Sequence, residues 1–365
     1  MPNYRNIQLI SYGSVTSTPT PVLTGDEPNR FREDLKVRGE TLCGVADWAA
    51  GAFQLGDADT LKVFVAPEFY FRYGGPSQPA TALGDSYPNG EALLPGLIEE
   101  VLKPFFAADR FADWIVIPGT MFWHKGTQDD PSYFNTTAVV NGGPDTALTP
   151  AERAANANPT ALATVGAATT NQKALMSTID YAIGVDRTQW DAALNPMFRL
   201  SFRGAEFWRW HTFAVHGKHG PDGRPLVFGL EVCLEHIAAY AGTNANLGLL
   251  RTMENLVPDQ PEIDIHLVTS CGMSLDPAFG ITAREDGYAM ICDGMNPGIP
   301  PVPWPRTDVQ RVTAVERDGR RTVAHATRVL DTQLVPPALQ VGGAGTHTPP
   351  DTVAVWEAAP LADRG

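Results

Sequence analysis

Three residues with the chemistry for acid–base and nucleophilic catalysis, Glu68, Lys173 and Cys233, occur in that order, each on or beside a strand-like stretch. Cys233 closes the apolar, β-branched run Leu226-Val-Phe-Gly-Leu-Glu-Val232 and is followed at once by Leu234, Glu235 and His236. A thiol at a strand end is held by a rigid scaffold and can still meet a ligand, although most strand cysteines are inert core. Glu68 lies just past the run Leu61–Ala66, beyond Pro67, which has no N–H to give to a ladder. Phe69, Tyr70 and Phe71 follow it. A carboxylate buried among aromatics rises in pKa, as a general base does when tuned toward neutral pH, whereas a solvated loop glutamate does not. Lys173 borders an apolar stretch in a chain with only six lysines. Pointing inward it needs a carboxylate; on a solvated face its stem would merely snorkel.

The elements that must hold these residues alternate. Asn6–Tyr12 reads as a strand, 30–53 as a helix with Leu35, Leu42, Val45, Ala46 and Trp48 at helical spacing, and Leu61–Ala66 as a second strand. Glu91–Phe106 reads as a helix flawed by Pro95 and Gly96, and Trp114–Thr120 and Tyr133–Gly143 as strands. Residues 144–169, rich in Ala, Thr, Pro and Asn, read as a surface excursion with a short helix at 150–157, and 186–203 as a second excursion. His211, His216 and His219 lack a carboxylate or cysteine at a familiar ligand spacing, so the expectation is a Gly-rich hairpin with exposed imidazoles and no metal. Ile237–Leu256 reads as a helix, Ile263–Ser270 as a strand, and Ala283–Asp293 as a helix end running into a strand. After the Pro-rich connector Gly298–Pro305, a hairpin turns at Asp318-Gly319, and Val353–Trp356 adds an edge strand. Alternating strands and helices followed by adjacent strands indicate an α/β architecture with mixed sheets.

The 365 residues suffice for a large core, and 43% are apolar. With 27 basic and 41 acidic residues, the net charge of −14 argues against nucleic acid or an anionic membrane as partner. The N-terminal residues lead into a strand-like run rather than the apolar region of a signal peptide. Cys43, Cys233, Cys271 and Cys292 fit neither a zinc site nor a CxxC pair, and so few cysteines suggest a reducing, cytoplasmic setting. GxGxxG, Walker A, HExxH and GxSxG signatures are absent, and no cofactor or metal is expected.

Taken together, Val63-Phe-Val-Ala-Pro-Glu68, Ile117-Pro-Gly-Thr120, Phe134-Asn-Thr-Thr-Ala-Val-Val140, Gln172-Lys173, Phe228-Gly-Leu-Glu-Val-Cys233, Ile263–Ser270 and Thr282–Ile291 resemble the nitrilase superfamily of carbon–nitrogen hydrolases. The resemblance runs in pieces from about residue 5 to 297. It implies a four-layer α-β-β-α sandwich with two facing mixed sheets, over residues 1–300, and a 301–365 extension packed on the same domain or at an oligomer interface. It also implies a homodimer or larger homo-oligomer. By this resemblance Cys233 is the nucleophile, Glu68 the general base, and Lys173, with the backbone N–H of Leu234, the oxyanion stabiliser. Many members carry a second glutamate between the Lys and Cys segments; Glu206 is the candidate and Asp180 the alternative. The long intervals around Lys173 imply that the excursions cover or line the pocket. Tyr70, Trp123, Trp208, Trp210 and Met273 are candidates to line it, though each residue type is more often plain core.

The expected activity is hydrolysis of a small non-peptide carboxamide through a thioester, releasing ammonia or an amine. Leu234 stands where true nitrilases have Trp, which leaves amide and nitrile open, with amide the commoner in the superfamily. An acyltransferase on the same fold is a further alternative. A catalytically silent binding or scaffold protein would leave Cys233 no more reactive than Cys43.

Overall fold

The computed structural model describes residues 3–16, 29–74, 86–127, 130–158, 160–173, 211–237, 248–256, 260–277, 280–295, 307–316, 319–325, 329–341 and 350–364. The first half contains β1 (Asn6–Gly13), α1 (Arg30–Ala52), β2 (Thr60–Val65) and β3 (Tyr87–Pro88). Next come α2 (Gly90–Gly96), which continues through a π turn at Leu97–Leu102 into α3 (Lys103–Phe106), then β4 (Trp114–Ile117), β5 (Thr120–Thr127) and β6 (Asp130–Asn141). α4 (Pro150–Ala157), β7 (Ala163–Val165) and β8 (Ala168–Gln172) follow. The second half has β9 (Thr212–His219), β10 (Pro225–Val232), a 3₁₀ turn at Cys233–His236, α5 (Leu249–Leu256), β11 (Ile263–Ser270) and β12 (Ala283–Asp293). β13 (Thr307–Val315), β14 (Arg321–His325), β15 (Val329–Leu334), β16 (Thr352–Trp356) and β17 (Ala359–Pro360) close it.

The strands form two mixed sheets. One is ordered β15-β16-β1-β2-β4-β6-β5-β3, with β17 on β1 and β8 on β6; the other is ordered β14-β13-β12-β11-β10-β9-β7. β1, β2 and β4 run parallel in the first, and β10, β11 and β12 in the second.

Three apolar clusters define four layers. Leu9, Leu61, Val63, Val65, Ile115 and Ile117 of the first sheet meet Phe213, Phe228, Leu230, Ile265, Leu267 and Met290 of the second, so the sheets face each other. The alternate residues of the first sheet, including Ile10, Phe64 and Val116, pack under Leu35, Leu42, Val45, Ala46 and Ala49 of α1. On the far face of the second sheet, Gly229 leaves room for Leu250 of α5, and Val268, Ala289 and Ile291 pack with Leu275 and Ile281. The result is the α-β-β-α sandwich with two facing mixed sheets.

Several elements depart from the sequence reading. Residues 144–169 are not wholly a surface excursion: β7 joins the second sheet beside β9, and β8 pairs antiparallel with β6. α4 does form, with a capping box in which Thr149 and Glu152 bond each other's backbone N–H. Of the helix expected over Ile237–Leu256, residues 238–247 lie outside the described residues, and helix is observed over Leu249–Leu256. Gly248 at φ +70 stands immediately before it in the left-handed region. Ala283–Asp293 is strand throughout. Val353–Trp356 lies inside the first sheet, between β1 and β15, so β15 and not this segment is the edge. The expected hairpins β9–β10 and β13–β14 are present. No helix among the described residues is long and apolar enough to cross a membrane.

Candidate active site

Glu68 and Cys233 follow the parallel strands β2 and β10 of the two sheets, and Lys173 follows β8, which pairs antiparallel with β6. β2 stops at Val65, and the chain then crosses toward the second sheet. Thr269 Oγ1 donates to the Ala66 carbonyl at 2.9 Å, and the Glu68 N–H donates to the Ser270 carbonyl at 3.2 Å. Gly119, at φ +84, lies so close to the Pro67 carbonyl that a Cβ there would collide with it. Phe69, at φ +62, donates its N–H to Thr120 Oγ1 at 2.8 Å. These contacts fix the Glu68 backbone between the two sheets.

The Glu68 side chain is fully buried, and so is that of Lys173. Lys173 Nζ donates to Glu68 Oε1 at 2.6 Å, and Asn135 Nδ2 donates to the same oxygen at 2.8 Å. Strand register explains the convergence: β6 and β8 pair Thr136 with Gln172, which sets Asn135 opposite Lys173 one step further on. The Lys173 N–H confirms the alignment by donating to the Asn135 carbonyl at 2.8 Å. Lys173 Nζ also lies 5.9 Å from the Phe69 ring centroid.

Cys233 is the first residue after β10 and is 3% exposed. Its φ is +51, a left-handed conformation that costs a non-glycine residue about 1–3 kcal/mol and persists only where surroundings enforce it. Its Sγ faces the Cys271 carbonyl at 3.9 Å, and Cys271 directly follows Ser270, the acceptor of the Glu68 N–H. Burial, then the charges of Glu68 and Asp293, push the Cys271 thiol well above its ordinary pKa. Asp293 secures this loop by accepting from Ser270 Oγ at 2.8 Å and from the N–H groups of Gly272 and Met273 at 2.6 and 2.8 Å.

Two buried carboxylates flank the cysteine. Glu235 Oε2 accepts the Val232 N–H at 2.7 Å. Glu231 Oε2 accepts from His236 Nδ1 at 2.8 Å and His266 Nε2 at 3.0 Å, while its Oε1 accepts the Leu250 N–H at 2.8 Å. Burial favours the neutral acid, but the two imidazoles outweigh it and hold Glu231 down to about 2. Burial lowers the pKa of His266. Among the described residues, Glu231, His236 and His266 are the grouping whose ligand atoms could surround a metal ion.

Other sequence candidates lie elsewhere. Tyr70 turns to the helix layer, donating its hydroxyl to the Arg38 carbonyl at 3.2 Å and packing on Tyr12. Trp123 stacks on Phe134 and donates Nε1–H to Thr136 Oγ1 at 2.9 Å, on the same outer face. Met273 packs against the outer cluster of the second sheet. Leu234 is half-buried in the 3₁₀ turn. Glu206, Asp180, Trp208 and Trp210 fall outside the described residues.

The imidazoles of the β9 region are not exposed as expected. His211 is fully buried, with Nδ1 3.0 Å from the Leu230 carbonyl, and burial lowers it to about 4. His216 is also buried and pairs with Glu152 at 2.9 Å, whereas His219 is half-buried.

Sequence reasoning passed over Asn135, Cys271 and the Glu231 cluster. The available signal was polar residues inside otherwise apolar runs, Glu231 in Phe-Gly-Leu-Glu-Val and His266 in Ile-Asp-Ile-His-Leu. A buried polar group must have a partner, so each such residue predicts one.

No family model and no curated protein matches this sequence. Among solved structures, the chain is similar to Saccharomyces cerevisiae Nit3, a member of branch 10 of the nitrilase superfamily, at 12% identity and a TM-score of 0.36, over 98% of this chain and 90% of that one. It is also similar to a glutamine-dependent NAD(+) synthetase from Cytophaga hutchinsonii, at 11% identity and a TM-score of 0.32, over 88% of this chain and 39% of that one.

Proposed function

We propose that this protein hydrolyses a small non-peptide carboxamide through a thioester on Cys233. The observation that carries this reading is the buried Lys173–Glu68 pair, 2.6 Å apart, with the Glu68 N–H on the Ser270 carbonyl and Cys233 Sγ facing the carbonyl of the next residue, Cys271. A buried carboxylate paired with an ammonium, and a buried thiol, are the groups that acyl transfer through a thioester needs.

In the proposed cycle Glu68 takes the Cys233 proton as sulfur bonds to the carbonyl carbon. Negative charge moves to the carbonyl oxygen, where the Lys173 ammonium and the Leu234 N–H stabilise it. The oxyanion collapses, the C–N bond breaks, and Glu68 passes its proton to the leaving ammonia or amine. Water then attacks the thioester, giving its proton to Glu68; the C–S bond breaks, and the returned proton restores the thiol. Asn135 Nδ2, on the same Glu68 oxygen as Lys173, orients the carboxylate through these transfers.

The test combines labelling with turnover. Limiting iodoacetamide across pH 5 to 9 should alkylate Cys233 ahead of Cys43, whose thiol burial pushes up to about 12. Glu68→Gln and Lys173→Ala should alter that pH profile, and a panel of amides and nitriles should show a trapped acyl adduct on Cys233. Product identity separates amidase from nitrilase and from acyl transfer to an amine. Cys233 labelling no faster than Cys43 would leave a silent fold and end the proposal.

A further inference from the structure

The three-residue cluster behind the Cys233 turn has the composition of a metal site, but its hydrogen bonds specify something else. The Asp276 backbone N–H donates to His236 Nε2 at 3.0 Å, and the Thr282 backbone N–H donates to His266 Nδ1 at 3.2 Å. A backbone amide can only donate, so these ring nitrogens must carry lone pairs. Each neutral ring then holds its proton on the other nitrogen, His236 on Nδ1 and His266 on Nε2, and both protons point at Glu231 Oε2.

A metal ion among the three would need the nitrogens that hold those protons. The protons would have to move to His236 Nε2 and His266 Nδ1, where each would face an amide donor. Outer partners fix the tautomer of an imidazole and hence its capacity to ligate. Here both outer partners select the non-ligating tautomer.

The cluster instead joins parts of the chain around the cysteine. Glu231 precedes Cys233 by two residues and holds His236, three residues after it, across the turn. Glu235 makes the reciprocal link, accepting the N–H of Val232. Glu231 Oε1 also fixes the Leu250 N–H at the start of α5. His236 is walled in by Gly280, where an added Cβ would come within 2.6 Å of the ring. His266 ties the same carboxylate to β11.

We propose that Glu231, His236 and His266 form a metal-free hydrogen-bonded hub that positions Cys233, with both neutral imidazoles donating to one carboxylate so that the turn keeps its left-handed residue and its thiol direction. The proposal rests on the reading of Cys233 as a nucleophile for its consequence, though not for its chemistry. The three are positioning residues, acting through the backbone of the turn.

The conservative replacements differ by ring atom. Asn offers an N–H where His236 has Nδ1, and Gln offers one where His266 has Nε2, whereas Leu offers none. Iodoacetamide labelling of Cys233 is followed against pH in the full-length wild type, His236→Asn, His236→Leu, His266→Gln and His266→Leu. Amide exchange of the 231–237 peptide, near-ultraviolet circular dichroism and zinc content after dialysis against zinc are measured on the same samples. The expected result is labelling slowed about tenfold or more and a displaced pH midpoint in folded Leu variants, since small misplacements of a reacting group have effects of this size. The Asn and Gln variants should stay within about twofold of wild type by the same principle, and no sample should retain stoichiometric zinc. Wild-type labelling and exchange in folded Leu variants, or one zinc per chain in wild type that His236→Leu removes, would overturn the hub. If wild-type Cys233 proves unreactive, the proposed function fails on its own. The hub then stands or falls on exchange, faster in the Leu variants and unchanged in Asn and Gln if it exists.

Discussion

Replacing Lys173 by Met tests the buried ion pair directly. The two charges are 2.6 Å apart with both side chains fully buried. Coulomb's law at an effective dielectric constant of about 20 gives a gross attraction of about 6 kcal/mol at that separation. Desolvation offsets much of it, but removing one partner leaves the other charge in place, which costs about 3–5 kcal/mol in such settings. Met keeps the length of the lysine stem, so the loss reports charge rather than a cavity. Glu68→Gln in the Lys173→Met background should return much of the lost stability, because a neutral amide still accepts the Asn135 Nδ2–H. Denaturant unfolding at pH 7 of wild type, both single variants and the double variant yields the coupling energy. A Lys173→Met loss below about 1 kcal/mol, the level of an exposed ion pair, would refute the claim that a desolvated pair sits here. So would a double variant less stable than Lys173→Met.

Acid should destabilise the fold in two stages. His211, lowered to about 4, binds its proton only in the unfolded state between its ordinary pKa of 6.5 and 4, so stability present above pH 6.5 falls by about 3 kcal/mol across that window. Glu231, lowered from 4.5 to about 2, loses a comparable contribution as pH falls through that lower range; urea unfolding that is flat from pH 7 to 4 would contradict the first stage. Cys233→Gly should be more stable than Cys233→Ala by about 1 kcal/mol in thermal melts, reversing the usual order of the two residues, because φ is +51. Gly119→Ala should destabilise by about 1–3 kcal/mol and slow Cys233 labelling, since its Cβ would displace the Pro67 carbonyl just ahead of Glu68. Retained stability and labelling in that variant would show that the Glu68 backbone is not fixed by this approach.

The parts of the fold legible in the sequence are those whose local pattern and burial agree. α1 shows its apolar stripe in the spacing of Leu35, Leu42, Val45 and Ala46, and β2 is a run of six buried residues. β7 and β8 were not legible, because Ala163–Val165 is only three residues long and Ala168–Gln172 is short and polar, and both owe their strand form to the strands they pair with. Gly248, immediately before α5, has a left-handed backbone that a periodicity argument does not register. At the site, Lys173 was ambiguous alone, since a lysine beside apolar residues reads equally as buried or snorkelling. The deciding facts are a strand register that sets it opposite Asn135 and a strand end that delivers Glu68, both set by long-range pairing. The Glu231 cluster was hidden for the same reason: 35 residues separate Glu231 from His266, and only the parallel pairing of β10 with β11 joins them.

Among the titratable residues at this end of the sandwich, Glu68, Glu231, Glu235 and His236 have different partners. Glu231 receives three N–H donors, two of them from imidazoles whose other nitrogens are occupied by backbone amides. To accept a proton it would have to turn a donor away, so it suits a fixed anion. Glu235 accepts the N–H of Val232 within its own turn and serves as a clip for the turn's start. His236 has no nitrogen left for a thiol, since one faces Glu231 and the other the Asp276 amide. Glu68 comes from the opposite sheet, and the side chains of Lys173 and Asn135 both donate to its Oε1. In the proposed cycle Glu68 is the proton carrier, and the Lys173 ammonium beside it fits the charge that develops when such a carrier works.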